Sequence, residues 1–263
     1  MRKSMKTVFV GLIGATLVLI GSVSPAAADD NDERWPNRWA DQPLVLDPGV
    51  GRLAGNTLGI SLTRRQVGEP IFLAPAFYYG FREKLTLAVL HDRGVCWSDG
   101  CGSYDDTRAA ALYRLLLHER LEIAATGALN VRSFSDPFAL GVRAGLTAKA
   151  RLTKKLAVVF APEMYVGLIG RSVSDRLDLP FEFGWQFSDR LVGLINTGWN
   201  GPMSDFSAAV QIPVGLAVGY RWTKKIEVGA QFLFENFFGR GATFDRRLVL
   251  FRLAYWAQFP VID

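Results

Sequence analysis

From residue 52 almost to its end, the chain places apolar side chains on every second position, in one run after another. The clearest run sets Phe138, Leu140, Val142, Ala144, Leu146 and Ala148 against Ala139, Gly141, Arg143, Gly145, Thr147 and Lys149. A period of two sends successive side chains to opposite faces of an extended strand. The same pattern sets Leu156, Val158, Phe160, Met164, Val166 and Leu168 against Ala157, Ala161, Glu163, Tyr165 and Gly167. Near the end, Val249, Phe251, Leu253, Tyr255, Ala257 and Phe259 oppose Arg252, Ala254, Trp256 and Gln258. Although 49% of the residues are hydrophobic, nothing beyond the first 28 approaches the ~20 consecutive apolar residues of a helical membrane span.

A repeated tight turn separates the runs. It reads Arg151-Leu152-Thr153-Lys154-Lys155-Leu156 and again Arg221-Trp222-Thr223-Lys224-Lys225-Ile226, with looser copies at 81–85, 117–121 and 187–191. Twelve runs result, or ten if the first and third are not strands: 52–63, 70–80, 85–91, 108–117, 121–132, 138–150, 156–168, 178–187, 191–199, 206–221, 226–237 and 247–259. Five short turns then face one side and six longer loops the other, with both termini on the short-turn side. An even count of antiparallel strands with this alternation of short and long connections is expected of a transmembrane up-and-down β-barrel. A soluble sandwich or lipocalin-like barrel would need an apolar inner face. Here the second face of the strands carries glycine and alanine with Arg143, Glu163, Glu182 and Arg252.

The ends of the chain fit export. Arg2, Lys3 and Lys6 precede an uncharged, mostly apolar run from Thr7 to Val23, and Ala26-Ala27-Ala28 then meets Asp29. This is a secretory signal over 1–28, cut after Ala28. Its removal leaves 27 basic and 25 acidic residues, a net charge of +2. With no lysine-rich stripe to follow phosphates, nucleic acid is not an expected partner. Residues 29–51, rich in Asp, Trp and Pro, read as an irregular lead-in on the periplasmic side, with Arg34-Trp35 and Arg38-Trp39 suited to an amphipathic turn at the barrel mouth. Cys96 and Cys101 flank four residues, and in an exported chain the pair reads as a disulfide closing a small loop. Two cysteines with His91 make a poor zinc signature, so no metal or other cofactor is expected.

Outward aromatics fall in two bands. Tyr79, Phe81, Trp185, Phe187, Tyr220, Trp222, Tyr255 and Phe259 lie at short-turn ends, and Phe138, Trp199 and Phe206 at long-loop ends. Such girdles mark the two membrane interfaces. On these features the chain, over 52–259, resembles bacterial outer-membrane β-barrel proteins of the porin-like, small-channel kind. The resemblance implies an outer-membrane address, lipid and the barrel-assembly machinery as partners, and small solutes as cargo. It brings no catalytic or ligand motif. Such barrels usually end on a terminal aromatic, whereas here Phe259 is followed by the tail 260–263.

The inward parity carries Arg114, Glu122, Arg143, Glu163, Glu182, Glu235 and Arg252 as lumen-lining charges, with Arg82, Arg132, Lys149 and Glu227 beside them. Mixed charge in a water-filled lumen sets ion and solute preference. The alternative is that Arg114 pairs with Glu122, Arg143 with Glu163 and Glu235 with Arg252, partly plugging the bore. Inward glycines (Gly141, Gly145, Gly167, Gly184, Gly215, Gly219 and Gly229) read as room for water or a solute. A passive diffusion channel is the expected function. A closed structural or partner-binding barrel is the second reading, and an outer-membrane hydrolase the third. Catalysis is not expected: His118 lies in a short turn, and His91 and Asp92, being adjacent on a strand, point to opposite faces.

Overall fold

A computed structural model of the chain describes residues 36–261 except 37, 55, 63–66, 97–103, 135–137 and 171–174. The signal read over 1–28 therefore lies outside the described residues. The alternation closes into a twelve-stranded antiparallel barrel. Its strands are β1 (Val50–Ala54 and Asn56–Leu62), β2 (Val67–Leu73 and Ala76–Arg82), β3 (Leu85–Cys96) and β4 (Tyr104–His118). They continue with β5 (Leu121–Ser133), β6 (Ala139–Arg151), β7 (Leu156–Phe160 and Glu163–Ile169) and β8 (Arg176–Gln186). The circuit ends with β9 (Leu191–Pro202), β10 (Gln211–Arg221), β11 (Ile226–Gly239) and β12 (Arg247–Gln258). Ala74-Pro75 and Ala161-Pro162 interrupt β2 and β7, as expected where proline removes a ladder donor.

Closure is made by β12 against β1, from Leu248↔Ser61 down to Val50↔Gln258. The register fixes the faces. Leu216 pairs with Ile195 and Phe232 outward, and Arg221 pairs with Glu227 inward. Leu216 is 60% exposed and Trp222 67%, whereas Glu122 is 7% and Arg143 8%. Apolar side chains thus cover the outside while charged ones turn inward, the inverse of the facing in a soluble protein.

The repeated turns share one mechanism. Thr153 Oγ1 accepts the amides of Lys155 (3.1 Å) and Leu156 (3.0 Å). Thr223 does the same for Lys225 and Ile226, and Ser188 for Arg190 and Leu191. A hydroxyl two or three residues before the next strand folds the chain back, so the Thr/Ser position carries the turn.

Three strand ends differ from the sequence reading by four residues or more. β3 runs on to Cys96, through a bulge between His91 and Gly94, and β4 starts at Tyr104, so Cys96 is paired in the sheet opposite Phe72 rather than sitting in a loop. The tenth run starts at Gln211, not 206. Met203–Asp205 and Phe206–Ala209 form two short helical turns in the loop before it, with Pro202 and Pro213 flanking. Beyond β12, the Phe259 amide donates to Gly49 O (2.7 Å), and its ring lies edge-on to Phe77 and Tyr79 over Gly51. The last aromatic is thereby fastened to the first strands despite the tail that follows it.

Candidate functional site

The interior has two differently filled halves. At the short-turn end the wall charges turn to a piece of main chain. Residues 36 and 38–49, part of the stretch 29–51 read above as a periplasmic lead-in, lie inside it and include one 3-10 turn, Trp39–Asp41. Glu122 accepts the amides of Leu44 (2.7 Å) and Val45 (3.2 Å) while pairing with Arg114 (3.1 Å). Arg114 also donates to Val45 O (2.5 Å). Lys149 donates to Trp39 O (2.6 Å) and Gln42 O (2.9 Å), and its ammonium sits 4.5 Å from the centre of the Trp39 ring. Arg221 joins Glu227 to Pro36 O. Below this ring Leu46, Val50 and Trp256 bury one another against Tyr78.

Toward the long-loop end the charges turn to one another. Arg143, from β6, pairs with Glu163 and reaches Asp178 at 3.5 Å, and its Nε donates to Asn130 Oδ1 (3.0 Å). Arg108 lies 3.3 Å from Glu163 and Arg132 3.9 Å from Asp106. The Arg132 and Arg143 guanidiniums both face the Tyr165 ring. Four arginines (108, 132, 143 and 176) and three carboxylates (106, 163 and 178) thus form a wall across β4–β8. Opposite, Phe72, Ala74 and Leu250 pack with Leu233 and Leu248 into an apolar wall. Beside the helical loop a cavity of about 280 Å3 is lined by Arg176, Gly201, Pro202, Ala209, Gln211 and Arg240.

Of the residues singled out from sequence, Arg114 with Glu122 and Arg143 with Glu163 come together as pairs. Glu235 and Arg252 do not. Arg252 is level with Gly229 of β11, six residues from Glu235, which is roughly 20 Å along a strand. Arg252 instead approaches Glu182 of β8 at 3.9 Å, bridging strands that are not neighbours. Glu235 sits near the loop end, its amide bonded to Arg246 O. Arg82 is exposed at the short-turn end of β2, over the Phe81 ring, and does not line the bore. His91 Nδ1 lies 2.6 Å from Pro75 O, in the sheet opposite Thr107. Cys101 lies outside the described residues.

The glycines need a correction too. A Cβ on Gly184 would come 2.1 Å from the Trp39 ring, on Gly141 2.4 Å from Tyr165, and on Gly145 2.3 Å from Pro162 O. At Gly215 and Gly219 the neighbours are Gln231 and Val192 side chains, and at Gly229 the Val218 carbonyl. Several inward glycines therefore admit protein rather than solvent. Sequence reasoning missed Thr86, Gln186, Arg108 and Asp178, and read Trp39 as part of a turn at the mouth rather than as a ring packed on Gly184. The one legible hint was the paired small residues Ala157 and Gly184, which leave the space the Trp39 indole fills.

No protein-family model matches the sequence, and no curated protein matches it. Among solved structures, the fold is similar to that of the KdgM porin in complex with disordered oligogalacturonate, with a TM-score of 0.55 and 13% identity over 80% of this chain and 99% of that one. The NanC porin is alike at a TM-score of 0.54 and 7% identity, covering 80% of this chain and all of that one. At such identities the likeness is one of fold: this chain has the fold of bacterial outer-membrane channels.

Proposed function

We propose that the protein is a bacterial outer-membrane β-barrel that passes small hydrophilic solutes or ions by diffusion and catalyses no reaction. The observation that carries this reading is the closed barrel's inverted polarity, an apolar exterior around an interior of arginines and carboxylates. A lipid-facing surface is the only environment in which so many outward Leu, Phe and Trp side chains are favourable, and interior charge is tolerated where water or partners solvate it. The fold shared with two porins agrees. The short-turn end then faces the periplasm and the long loops face outward.

Residues 1–28 act as a cleaved signal, the strand ending at Phe259 is what the assembly machinery reads, and Cys96 and Cys101 form a disulfide beneath the second outer loop. Arg143, Glu163, Glu182 and Arg252 line the mid-bore, and Arg114 and Glu122 its inner mouth. The arginine wall exceeds its carboxylates by one charge, which favours anions weakly. The oligogalacturonate of the KdgM structure is itself a polyanion, and an acidic sugar is a reasonable first solute to try. The bridge between Glu182 and Arg252 favours a second reading, a closed structural barrel. Ion conductance of the purified protein in a planar bilayer separates the two. Resolved current steps, from the unaltered protein or from a variant in which residues 36–49 are loosened, support the channel, and silence from both folded proteins supports the closed barrel.

A further inference from the structure

The segment 36–49 is built to be held in the bore. Pro36, Pro43 and Pro48 lack amide donors and fix φ, so the segment offers three fewer N–H groups and folds on itself only in the turn Trp39–Asp41. Seven of the amides it does offer are met. Trp39 N donates to Gln186 Oε1 (3.2 Å), Leu44 and Val45 to Glu122, and Leu46 to Thr86 Oγ1 (2.8 Å). The amides of Asp41, Gln42 and Gly49 reach Arg38 O, Trp39 O and Gly80 O. Its carbonyls at 36, 39, 42 and 45 are taken by Arg221, Lys149 and Arg114. Gln42 crosses the bore: its carbonyl is held from β6 by Lys149, and its side-chain amide reaches Glu227 Oε1 of β11 at 2.5 Å. Those two strands lie five apart in a circle of twelve. Arg38 with Asp189 (2.8 Å) and Arg151 with Asp41 (2.9 Å) fasten the segment at the rim.

We infer that the short-turn mouth is a binding site for an extended polypeptide main chain, occupied in cis by residues 36–49, and that this plug holds the channel shut until it is displaced. Recognition is of the backbone: the wall reads carbonyls and amides through ionised side chains, which make the stronger class of hydrogen bond. The Trp39 ring is set between Lys149 and the bare backbone of Gly184, and Leu46 packs with Val50 and Trp256. The inference rests on the channel reading.

Two full-length variants loosen the plug by separate routes. Gly184→Leu fills the space of the Trp39 ring, and Lys149→Met removes the donor to two plug carbonyls. Heat-modifiable migration on a gel confirms that each barrel is folded. Single-channel conductance in a planar bilayer should rise at least about tenfold in both variants over a nearly silent unaltered protein. An unaltered protein that already conducts as well as both variants would overturn the plug and leave the channel standing. Silence from all three folded proteins would overturn the channel reading, and the plug with it.

Discussion

The two halves of the bore satisfy their buried charges in opposite ways. At the short-turn end, Glu122, Lys149, Arg114 and Arg221 spend their hydrogen bonds on a foreign stretch of backbone. At the long-loop end, Arg143, Arg108, Glu163 and Asp178 spend theirs on one another, against a wall of Phe72, Leu233, Leu248 and Leu250. Similar residue types on the same inward parity therefore do different work. In the first half, removing a charge strands part of the plug; in the second, a neighbour takes over. On the proposed channel reading, selectivity belongs to the half whose charges pair with one another, and closure to the half whose charges face peptide.

Both halves share one outer surface, and substitution there should have the largest effect of all. Leu216→Arg places a charge toward lipid near the middle of β10, at on the order of 2–4 kcal/mol, and should abolish assembly into membranes. Its inward neighbour is the control. Gly215→Ser meets mainly the mobile Gln231 amide, at 2.9 Å, and should assemble. Equal recovery of the two in the membrane fraction would mean that the faces are assigned the wrong way round.

Within the bore, Glu122→Ala should destabilise most, by roughly 3–5 kcal/mol, because it leaves Arg114 buried without its carboxylate and two plug amides without an acceptor. Arg143→Ala should be milder, about 1–3 kcal/mol, since Arg108 still neutralises Glu163. Urea unfolding in detergent orders the pair, and the reverse order would erase the distinction between the halves. The smallest expected effect is on permeation itself. In the opened Gly184→Leu background, Arg143→Gln removes one positive charge from a wall of four arginines and three carboxylates, so the reversal potential in a salt gradient should move toward cations. An unchanged potential would place the ion path away from Arg143.

Most of the fold was legible because it rests on local rules. Alternation gave the strands, and Thr153, Ser188 and Thr223 gave the turns through hydroxyls that cap the next strand. Facing was legible too, but position around and along the bore was not. Arg252 and Glu235 share a face and lie on neighbouring strands, yet stand at different heights, and only the closed barrel brings Arg252 to Glu182. The plug was the least legible element. Its partners bind main chain, which every sequence has, and the glycines that admit it look the same as glycines that admit water. Phe206–Ala209 failed for another reason: an apolar-alternating stretch after Pro202 is equally compatible with a helical turn.

Site-by-site labelling tests the division of the bore most directly. Asn200→Cys lies inward on β9 beside Arg176, in the long-loop half. Ala124→Cys lies inward on β5, opposite Arg114 in the short-turn half, with no exposed surface. With folded protein in vesicles, a bulky water-soluble maleimide should modify the cysteine at 200 readily and spare the one at 124. Adding Gly184→Leu to the second protein should make it reactive. If the cysteine at 124 reacts as fast as the one at 200 while Trp39 and Gly184 are both intact, residues 36–49 do not stop the bore.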